Sequence, residues 1–190
     1  MIKLVVDKQQ RLGVVFELFV GSDYDELMKP RIYLETTIPS YLTAWPNRDL
    51  VLAAHQQITR EWWRQRRDAF ELFVSQVVVR ECQAGDPDAA AQRLEVLRDL
   101  PLLEQTGEAT ALAQALLKQV PLPERAAIDA LHIAIATVHG IDYLLTWNCT
   151  HIANVVLRSQ IESVCRAGGY EPPAICTPEE LLSEEGDERG

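Results

Sequence analysis

The segment at residues 126–148, AAIDALHIAIATVHGIDYLLTWN, constrains the fold more than any other stretch of the sequence. Apolar residues recur in it at steps of three and four, which predicts a helix with an apolar face formed by Ile128, Leu131, Ile135 and Val138. The apolar run at 141–145 is typical of a short buried strand. Asp129 lies in the first turn of this helix, and Asn148 follows the strand. Both are expected at one cleft, because strand carboxyl ends and helix N-termini border a common crevice in parallel α/β sheets.

Strand-like and helix-like segments alternate along most of the chain, which predicts an α/β fold with a central, mainly parallel sheet and helices on both faces. The predicted strands are residues 32–34, 70–74, 102–103, 141–145 and 174–176. The predicted helices are residues 49–68, 76–84, 87–99, 108–120, 126–138 and 152–165. The sequence contains no internal repeat and no interdomain linker, so a single domain is expected.

Apolar spacing in two further helices predicts which of their sides face the core. In the helix at 49–68 the predicted buried stripe consists of Val51, Ala54, Ile58 and Trp62. In the helix at 152–165 the residues predicted to point inward are Val155, Val156 and Ile161. Near the end of the chain, the sequence TPEE at 177–180 predicts a capping box with proline at the first helical position.

One face of the helix at 49–68 carries a row of arginines, namely Arg60, Arg64 and Arg67. Such a row either forms a solvated face with helical ion pairs or contacts the phosphates of a nucleic acid. The neighbouring acids Glu61 and Asp68 dilute the positive charge and favour the solvated face.

Length and composition narrow the class of protein. A chain of 190 residues, 47% of them hydrophobic, can form one domain with a substantial core. Its net charge of −10 excludes a basic nucleic-acid-coating surface, but not a small acidic metal site that acts on nucleic acid. Four cysteines without a C-x-x-C pair predict reduced thiols. Without a ~20-residue apolar span or a signal-peptide pattern, a cytoplasmic protein with no membrane partner is expected.

The two ends of the chain differ in pattern from the rest. Residues 1–29 are an N-terminal extension with two interpretations, because Met28 is a candidate natural start. The residues before it are either a gene-model extension or an accessory hairpin. Residues 30–182 form the predicted domain, and the polar, mostly charged residues 183–190 are expected to be a disordered tail.

Four oxygen-bearing side chains lie near predicted strand ends or within helices, namely Glu35, Glu81, Asp129 and Asn148. That spread is typical of a metal site assembled at strand ends, since Mg²⁺ and Mn²⁺ prefer oxygen ligands and activate water for phosphodiester hydrolysis. Simpler interpretations also exist. Glu35 could be a solvated strand-end residue beside an N-cap at Thr36, and Glu81 a surface residue of its helix.

Histidine and cysteine residues near these acids add further candidates. His132, three residues after Asp129, could orient a carboxylate or a phosphate, although a helix histidine at the border of the core is more common. Cys149 and His151 suggest zinc, but without a second close pair of ligands, local packing and surface exposure are favoured. The chain has no phosphate-binding glycine loop and no G-x-S-x-G elbow, which removes the nucleotide-loop and serine-hydrolase interpretations.

The chain resembles a PIN-domain protein of the VapC toxin kind in four ordered blocks: YLETT from Tyr33, Ser75 with Glu81-Cys82, DALHIA from Asp129, and LLTWNCTHIAN from Leu144 to Asn154. The resemblance covers residues 30–182, and DALHIA and LTWN are fairly specific together. It implies a three-layer α/β/α PIN-like domain acting as a metal-dependent endoribonuclease of a type II toxin–antitoxin system. It also implies an RNA substrate, a small antitoxin, a homodimer, and Mg²⁺ or Mn²⁺ as cofactor.

The resemblance also implies roles for particular residues. Catalytic and metal-binding acids of the family match Glu35, Glu81 and Asp129. Asn148 falls at a metal-binding position where many members have Asp. The hydroxyl positions that support the family's site match Thr36 and Thr146.

Two departures from the family pattern bear on activity. The family's first acid is usually Asp, so Glu35 lengthens that ligand by a methylene, and Asn148 removes one negative charge. Both favour an alternative function, that of a catalytically weak or inactive RNA- or protein-binding module with the same fold. The intact Glu81 and Asp129 favour the enzyme.

Overall fold

The structure, a computed structural model, describes residues 29–182. Five strands in this part of the chain are β1 (Arg31–Leu34), β2 (Glu71–Ser75), β3 (Leu102–Leu103), β4 (Tyr143–Leu145) and β5 (Ala174–Cys176). Seven α-helices are α1 (Thr37–Thr43), α2 (Leu50–Gln65), α3 (Gln76–Cys82), α4 (Pro87–Leu97), α5 (Gly107–Gln119), α6 (Ala127–Val138) and α7 (Val155–Ala167). Short 3₁₀ helices cover Arg67–Ala69 and Glu124–Ala126.

The five strands form one parallel sheet in the order β3-β2-β1-β4-β5. β1 lies at its centre, with Tyr33 paired to Phe73 of β2 and to Leu144 of β4. The helices complete a three-layer α/β/α arrangement, so the predicted fold class is confirmed. Because all strands are parallel, the residues that follow β1, β2 and β4 lie at one edge of the sheet.

The five predicted strands are all present, and several predicted helix starts are confirmed by their caps. The Asp49 side chain accepts from two backbone amides at the start of α2, and Asp86 does so at the start of α4. The Ser75 hydroxyl accepts from the backbone amide of Val78 at the start of α3. These caps satisfy donors that a helix start leaves without an intrahelical partner. Helix α7 ends just before the pair Gly168 and Gly169, with Gly169 at φ +86°.

The predicted inward face of α7 is wrong at its start. Val155 and Val156 are 77% and 78% exposed, whereas Ile161 is buried as predicted. The cause is the N-cap: the Asn154 side chain accepts from the backbone amide of Val156, so the helix begins later than predicted. Its first turn therefore points into solvent.

The predicted stripe of α2 is also wrong over its first half, because Val51 and Ala54 are exposed while Trp62 is buried as predicted. Gln56 and Thr59 are buried in their place. Both make hydrogen bonds to neighbouring segments of the fold. The Gln56 amide group binds backbone atoms of the loop after α1, and Thr59 accepts from the indole of Trp147. Polar contacts therefore decide which face of α2 is buried.

Helix α6 is buried over most of its circumference rather than on one stripe. Of the predicted apolar face, Ile135 is buried, Leu131 and Val138 are half-buried, and Ile128 is 43% exposed. The other buried positions of the helix are Ala130, His132, Ile133, Ala134, Ala136 and Thr137. Because α6 packs extensively against α5 and belongs to the central hydrophobic core, a single apolar stripe underestimates its burial.

The predicted capping box at 177–180 forms its hydrogen bonds without a helix. The Glu180 carboxylate accepts from the backbone amide of Thr177 at 2.7 Å, and the Thr177 hydroxyl accepts from the backbone amide of Glu180 at 3.4 Å. The segment that follows is a turn. The capping sequence is therefore followed by a turn at residues 178–182 rather than by the first turn of a helix.

Other expectations concern the cysteines, the membrane and the chain ends. All four cysteines are thiols rather than disulfides, and only Cys149 is exposed. Within residues 29–182, no helix combines the length and apolar character needed to cross a membrane. The predictions for residues 1–28 and for the tail at 183–190 lie outside the described residues.

The burial pattern predicts that truncating Leu144 lowers the free energy of unfolding far more than truncating Val156. Leu144→Ala should lower the free energy of unfolding by about 2–5 kcal/mol, because Leu144 is fully buried in the central sheet. Val156→Ala should change it by less than about 0.5 kcal/mol, because that side chain is already in water. Urea unfolding of both variants measures the difference. Equal losses would contradict the observed orientation of α7.

Candidate functional site

The carboxylate of Glu35 is buried at the carboxyl end of β1, with the residue only 5% exposed. Its Oε2 atom accepts three hydrogen bonds: from the Thr37 backbone amide at 3.1 Å, the Thr37 hydroxyl at 2.6 Å and the Thr146 hydroxyl at 2.7 Å. Among the described residues, all hydrogen bonds to this carboxylate go to Oε2. The interpretation of Glu35 as a solvated strand-end residue is therefore wrong, and Oε1 is left for another ligand.

Glu81 lies in α3 and faces Glu35 across the same edge of the sheet. Its Oε2 atom accepts from the Thr36 hydroxyl and from Nε2 of His132, the latter at 2.9 Å. Burial alone would raise the pKa of Glu81, but the hydrogen bonds from His132 and Thr36 outweigh it and hold that pKa below its usual value. The Glu81 carboxylate is thus stabilised in its charged form. Thr36 is the N-cap residue of α1, but its hydroxyl donates to Glu81 and makes no capping hydrogen bond.

His132 connects Glu81 to a chain of buried hydroxyl groups. Its Nδ1 lies 2.7 Å from the Tyr33 hydroxyl, which in turn lies 2.7 Å from the Ser75 hydroxyl. All three residues are almost completely buried. Burial raises the pKa of the Tyr33 phenol, which therefore keeps its proton. His132 is both a core histidine and a group that orients a carboxylate, so the two interpretations of its sequence position hold together.

The donor-to-acceptor direction of this hydrogen-bond chain follows from the chemistry of its ends. An ionised carboxylate can only accept, so His132 Nε2 donates to Glu81. In a neutral imidazole Nδ1 is then an acceptor, and the Tyr33 hydroxyl donates a hydrogen bond to it. The Tyr33 oxygen accepts from Ser75, whose oxygen accepts from the backbone amide of Val78 at 3.5 Å. Every donor in the chain therefore points towards Glu81.

Glu35, Glu81 and His132 form the first of two clusters at this edge of the sheet. One potential ligand atom from each lies within 4.8 Å of the others. Carboxylate oxygens are the ligands that Mg²⁺ and Mn²⁺ prefer, and each glutamate keeps one oxygen outside the hydrogen bonds described above. Both ring nitrogens of His132 are already hydrogen-bonded. The donor set therefore fits a hard divalent cation bound by the two glutamates, with His132 holding Glu81 in position.

The second cluster consists of Asp129, Asn148 and His151. Asp129 Oδ1 accepts from the Asn148 side-chain amide at 2.9 Å, and Oδ2 lies 2.7 Å from His151 Nδ1. The carbonyl oxygen of the Asn148 side chain accepts from the backbone amide of His151 at 3.1 Å. These two partners orient the Asn148 amide, with its nitrogen towards the carboxylate. Asn148 is thus a donor to Asp129 in this structure.

Two threonine hydroxyls join the first cluster to the segment that carries the second. The Thr146 hydroxyl donates to Glu35 and accepts from the backbone amide of Asn148 at 2.9 Å. The Thr37 hydroxyl donates to Glu35 and accepts from the backbone amide of Trp147 at 2.9 Å. Asn148 is therefore only two hydrogen bonds from the Glu35 carboxylate. The loop after β4 positions both clusters.

The sequence-predicted residues thus divide between the clusters. Glu35 and Glu81, with Thr36 and Thr146 bonded to them, belong to the first cluster, whereas Asp129 and Asn148 pair with each other in the second. Among the described residues, the first cluster is the only group of three His, Cys, Asp or Glu side chains close enough to hold a metal ion. Cys149 and its neighbours therefore form no zinc site. Cys149 is exposed, and His151 serves as a partner of Asp129.

Sequence reasoning missed four contributors to this network, namely Tyr33, Thr37, Ser75 as a hydroxyl partner of Tyr33, and His151 as a partner of Asp129. A usable signal existed for two of them. Tyr33 is a hydroxyl-bearing residue in a short, otherwise apolar strand, and Thr37 immediately follows a pair of candidate site residues. His151 carries no such signal, because its contact depends on how the loop after β4 folds back.

The sequence matches no known protein-family model and no curated protein. The structure is similar to that of Mycobacterium tuberculosis VapC20, a sarcin-ricin loop cleaving toxin, with a TM-score of 0.52 and 15% identity over 65% of this chain and 95% of that one. It is also similar to VapBC2 from Rickettsia felis bound to a DNA fragment from their promoter. That TM-score is 0.50, with 14% identity over 77% of this chain and 98% of the other. The chain therefore has the PIN-domain fold of VapC toxins, as its sequence motifs predict.

The hydroxyl chain behind Glu81 predicts that Tyr33→Phe leaves Nδ1 of His132 without a hydrogen-bond donor while the imidazole proton stays on Nε2. Without the phenol proton, Nδ1 would be a buried acceptor with no donor, which costs about 1–3 kcal/mol. Moving the imidazole proton to Nδ1 would not relieve that cost, because phenylalanine offers no acceptor and Glu81 would lose its donor. Nitrogen chemical shifts of the His132 ring, measured by NMR, report both the lost bond at Nδ1 and the proton that stays on Nε2.

Ser75→Ala is the matched control, because it removes the hydroxyl one step further from the carboxylate. Tyr33 can still donate to His132 in this variant, so the ring nitrogen shifts should match those of the wild type. Identical shifts in the wild type and Tyr33→Phe would contradict the proposed direction of the chain.

Proposed function

We propose that this protein is a divalent-metal-dependent endoribonuclease that hydrolyses RNA phosphodiester bonds. The observation that carries the proposal is the first cluster, in which two glutamates converge at the carboxyl edge of a parallel sheet with ligand atoms within 4.8 Å. The fold shared with VapC toxins supports the same reaction class. A buried glutamate with an oxygen left over for a cation is costly in a purely structural role.

Glu35 and Glu81 would hold Mg²⁺ or Mn²⁺ through the oxygens that their hydroxyl partners leave available. Asp129 would complete the catalytic acids, with Asn148 beside it as a neutral group. When bound, such an ion supplies an activated water and stabilises the charge that develops on the leaving oxygen. Thr36, Thr146 and the other hydroxyl groups hold the carboxylates in fixed orientations, so that the site needs little reorganisation during the reaction.

The assignment to a type II toxin–antitoxin system belongs to the same proposal. VapBC2, one of the structural neighbours, is a complex bound to promoter DNA. We accordingly propose a small antitoxin partner, a homodimer, a cytoplasmic location, and a functional domain that spans residues 30–182.

The second candidate function is a binding module with this fold and little or no catalysis. One observation favours it: the Asn148 side chain donates to Asp129, so this position offers no fourth carboxylate. The two functions differ in one measurable property, which is metal-dependent cleavage of RNA.

The proposal predicts cleavage of a mixed-sequence RNA by the purified protein with Mg²⁺ or Mn²⁺, and none with excess EDTA. Asp129→Asn should lower the rate by at least about a hundredfold, since it removes a charge at the reacting centre worth about 2.7 kcal/mol or more. The fold should survive, because the substitution is nearly isosteric. Circular dichroism checks that point. Full activity of a folded Asp129→Asn protein, or none in the wild type, would contradict the proposal.

Metal binding can be tested without activity through Asn148→Asp. This change replaces a donor to Asp129 by a second carboxylate, so the two charges repel without a cation. We expect a lower melting temperature in EDTA and a larger stabilisation by Mg²⁺ than in the wild type. Thermal melts with and without Mg²⁺ measure both effects. An equal Mg²⁺ shift in the two proteins would place Asn148 outside the ion site.

A further inference from the structure

Three aromatic residues form a row of nearly parallel rings beside the acidic clusters, which we call the ring row: Trp147, His55 and Tyr41. The ring centroids of Trp147 and His55 lie 3.9 Å apart with 14° between the planes. Those of His55 and Tyr41 lie 6.3 Å apart with 20° between the planes. The row therefore extends from the loop after β4 across α2 to α1.

The inner end of the ring row is fixed and its outer end is partly exposed. Trp147 is buried, and its indole nitrogen donates to the Thr59 hydroxyl at 2.8 Å. Tyr41 is only partly buried. A ring that stacks on a neighbouring ring and is partly exposed suits a rigid platform, because binding of a flat group then requires little further ordering of the side chain.

Tyr41 lies next to the proposed reaction site through α1. Thr37, which donates to Glu35, is four residues before Tyr41 in this helix, so both side chains lie on one face about one helical turn apart. Burial raises the pKa of Tyr41, and the negative charge of Glu35 raises it further. The ring row thus adjoins the first cluster.

Charge considerations favour a nucleobase as the group that binds this platform. The net charge of −10 opposes binding of an RNA backbone by general electrostatics, so affinity has to come from local contacts. Stacking of bases on aromatic rings supplies such affinity and tolerates any base. Arg60 adds one local positive charge, and its guanidinium donates to the carbonyl groups of Leu42 and Ala44, which fixes the end of α1.

We propose that Tyr41 is a stacking platform for a nucleobase of single-stranded RNA, beside the phosphodiester bond that the acidic clusters act on. The proposal rests on the ribonuclease function proposed above and adds a binding site for the substrate. The ring row fixes the position of the base, and the base fixes the register of the strand over Glu35 and Glu81.

The test compares Tyr41→Leu with Tyr41→Phe, using a short mixed-sequence single-stranded oligoribonucleotide as the probe. Loss of one stacked base should raise the Kd of Tyr41→Leu about tenfold, whereas Tyr41→Phe keeps the ring and should stay within about twofold. Kd is measured by fluorescence anisotropy in an Asp129→Asn background, so that the RNA is not cut. Trp45→Leu is the control, because Trp45 is 88% exposed in the same region but outside the ring row.

An abasic oligoribonucleotide tests the platform from the side of the RNA with the Tyr41 side chain intact. Removing the bases should weaken binding when Tyr41 is present and have a much smaller effect on Tyr41→Leu, since both changes remove the same contact. The proposal would be overturned by Kd values that are unchanged by Tyr41→Leu. It would also be overturned if the losses of affinity caused by the abasic RNA and by Tyr41→Leu were simply additive. Unchanged RNA binding, together with lost capture of a protein partner, would assign this surface to protein recognition and likewise overturn it.

These measurements separate the platform from the ribonuclease activity. If RNA binds through Tyr41 but is never cleaved, the enzyme proposal fails and the platform stands. If RNA is cleaved with Mg²⁺ while Tyr41→Leu has wild-type KM and Kd, the platform fails and the enzyme stands. Tyr41→Leu should otherwise raise KM with little change in kcat, because the ring binds the substrate and does not touch the reacting atoms.

Discussion

The buried carboxylate of Glu35 is the constraint on which the arrangement of the site depends. A charged group this far from water is stable only if donors or a cation compensate it. Two threonine side chains and one backbone amide provide the donors, and they come from the segments that follow β1 and β4. Meeting that requirement fixes the turn after β1 and the end of β4 relative to each other.

The same threonine hydroxyls also position the loop after β4. Thr37 and Thr146 each bind Glu35 with the hydroxyl proton and accept a backbone amide of the loop after β4 with the oxygen. That loop carries Asn148 to Asp129 and the Trp147 ring to α2. One buried charge thus organises the carboxylates on one side and the ring row on the other. Hydroxyl groups suit this function because each donates and accepts at once.

Sequence reasoning predicted the parts of the structure that depend on local chemistry. Parallel strands, the starts of the helices that Asp49 and Asp86 cap, and the position of Glu35 at a strand end follow from patterns that span a few residues. The errors concern contacts across the fold. Val156 was expected inside because it is apolar, but the cap at Asn154 turns it outward.

The site was predictable to a similar extent. Acids that follow strands are visible in the sequence, whereas the pairing of Glu81 with His132, 51 positions later, depends on how α3 and α6 meet. Spacing also could not show that Asn148 donates to Asp129, because the orientation of an amide depends on the partners on both sides. Chemistry-bearing residues can therefore be predicted from sequence, but their hydrogen-bond roles require the fold.

The central claim is that the two glutamates at the edge of the sheet form a divalent-cation site. Anomalous X-ray scattering from crystals grown with Mn²⁺ tests it most directly, because the ion is located independently of activity. We expect an anomalous peak coordinated by carboxylate oxygens of both Glu35 and Glu81. A site without Mn²⁺ at saturating concentration, or Mn²⁺ bound only to acids elsewhere on the surface, would contradict it.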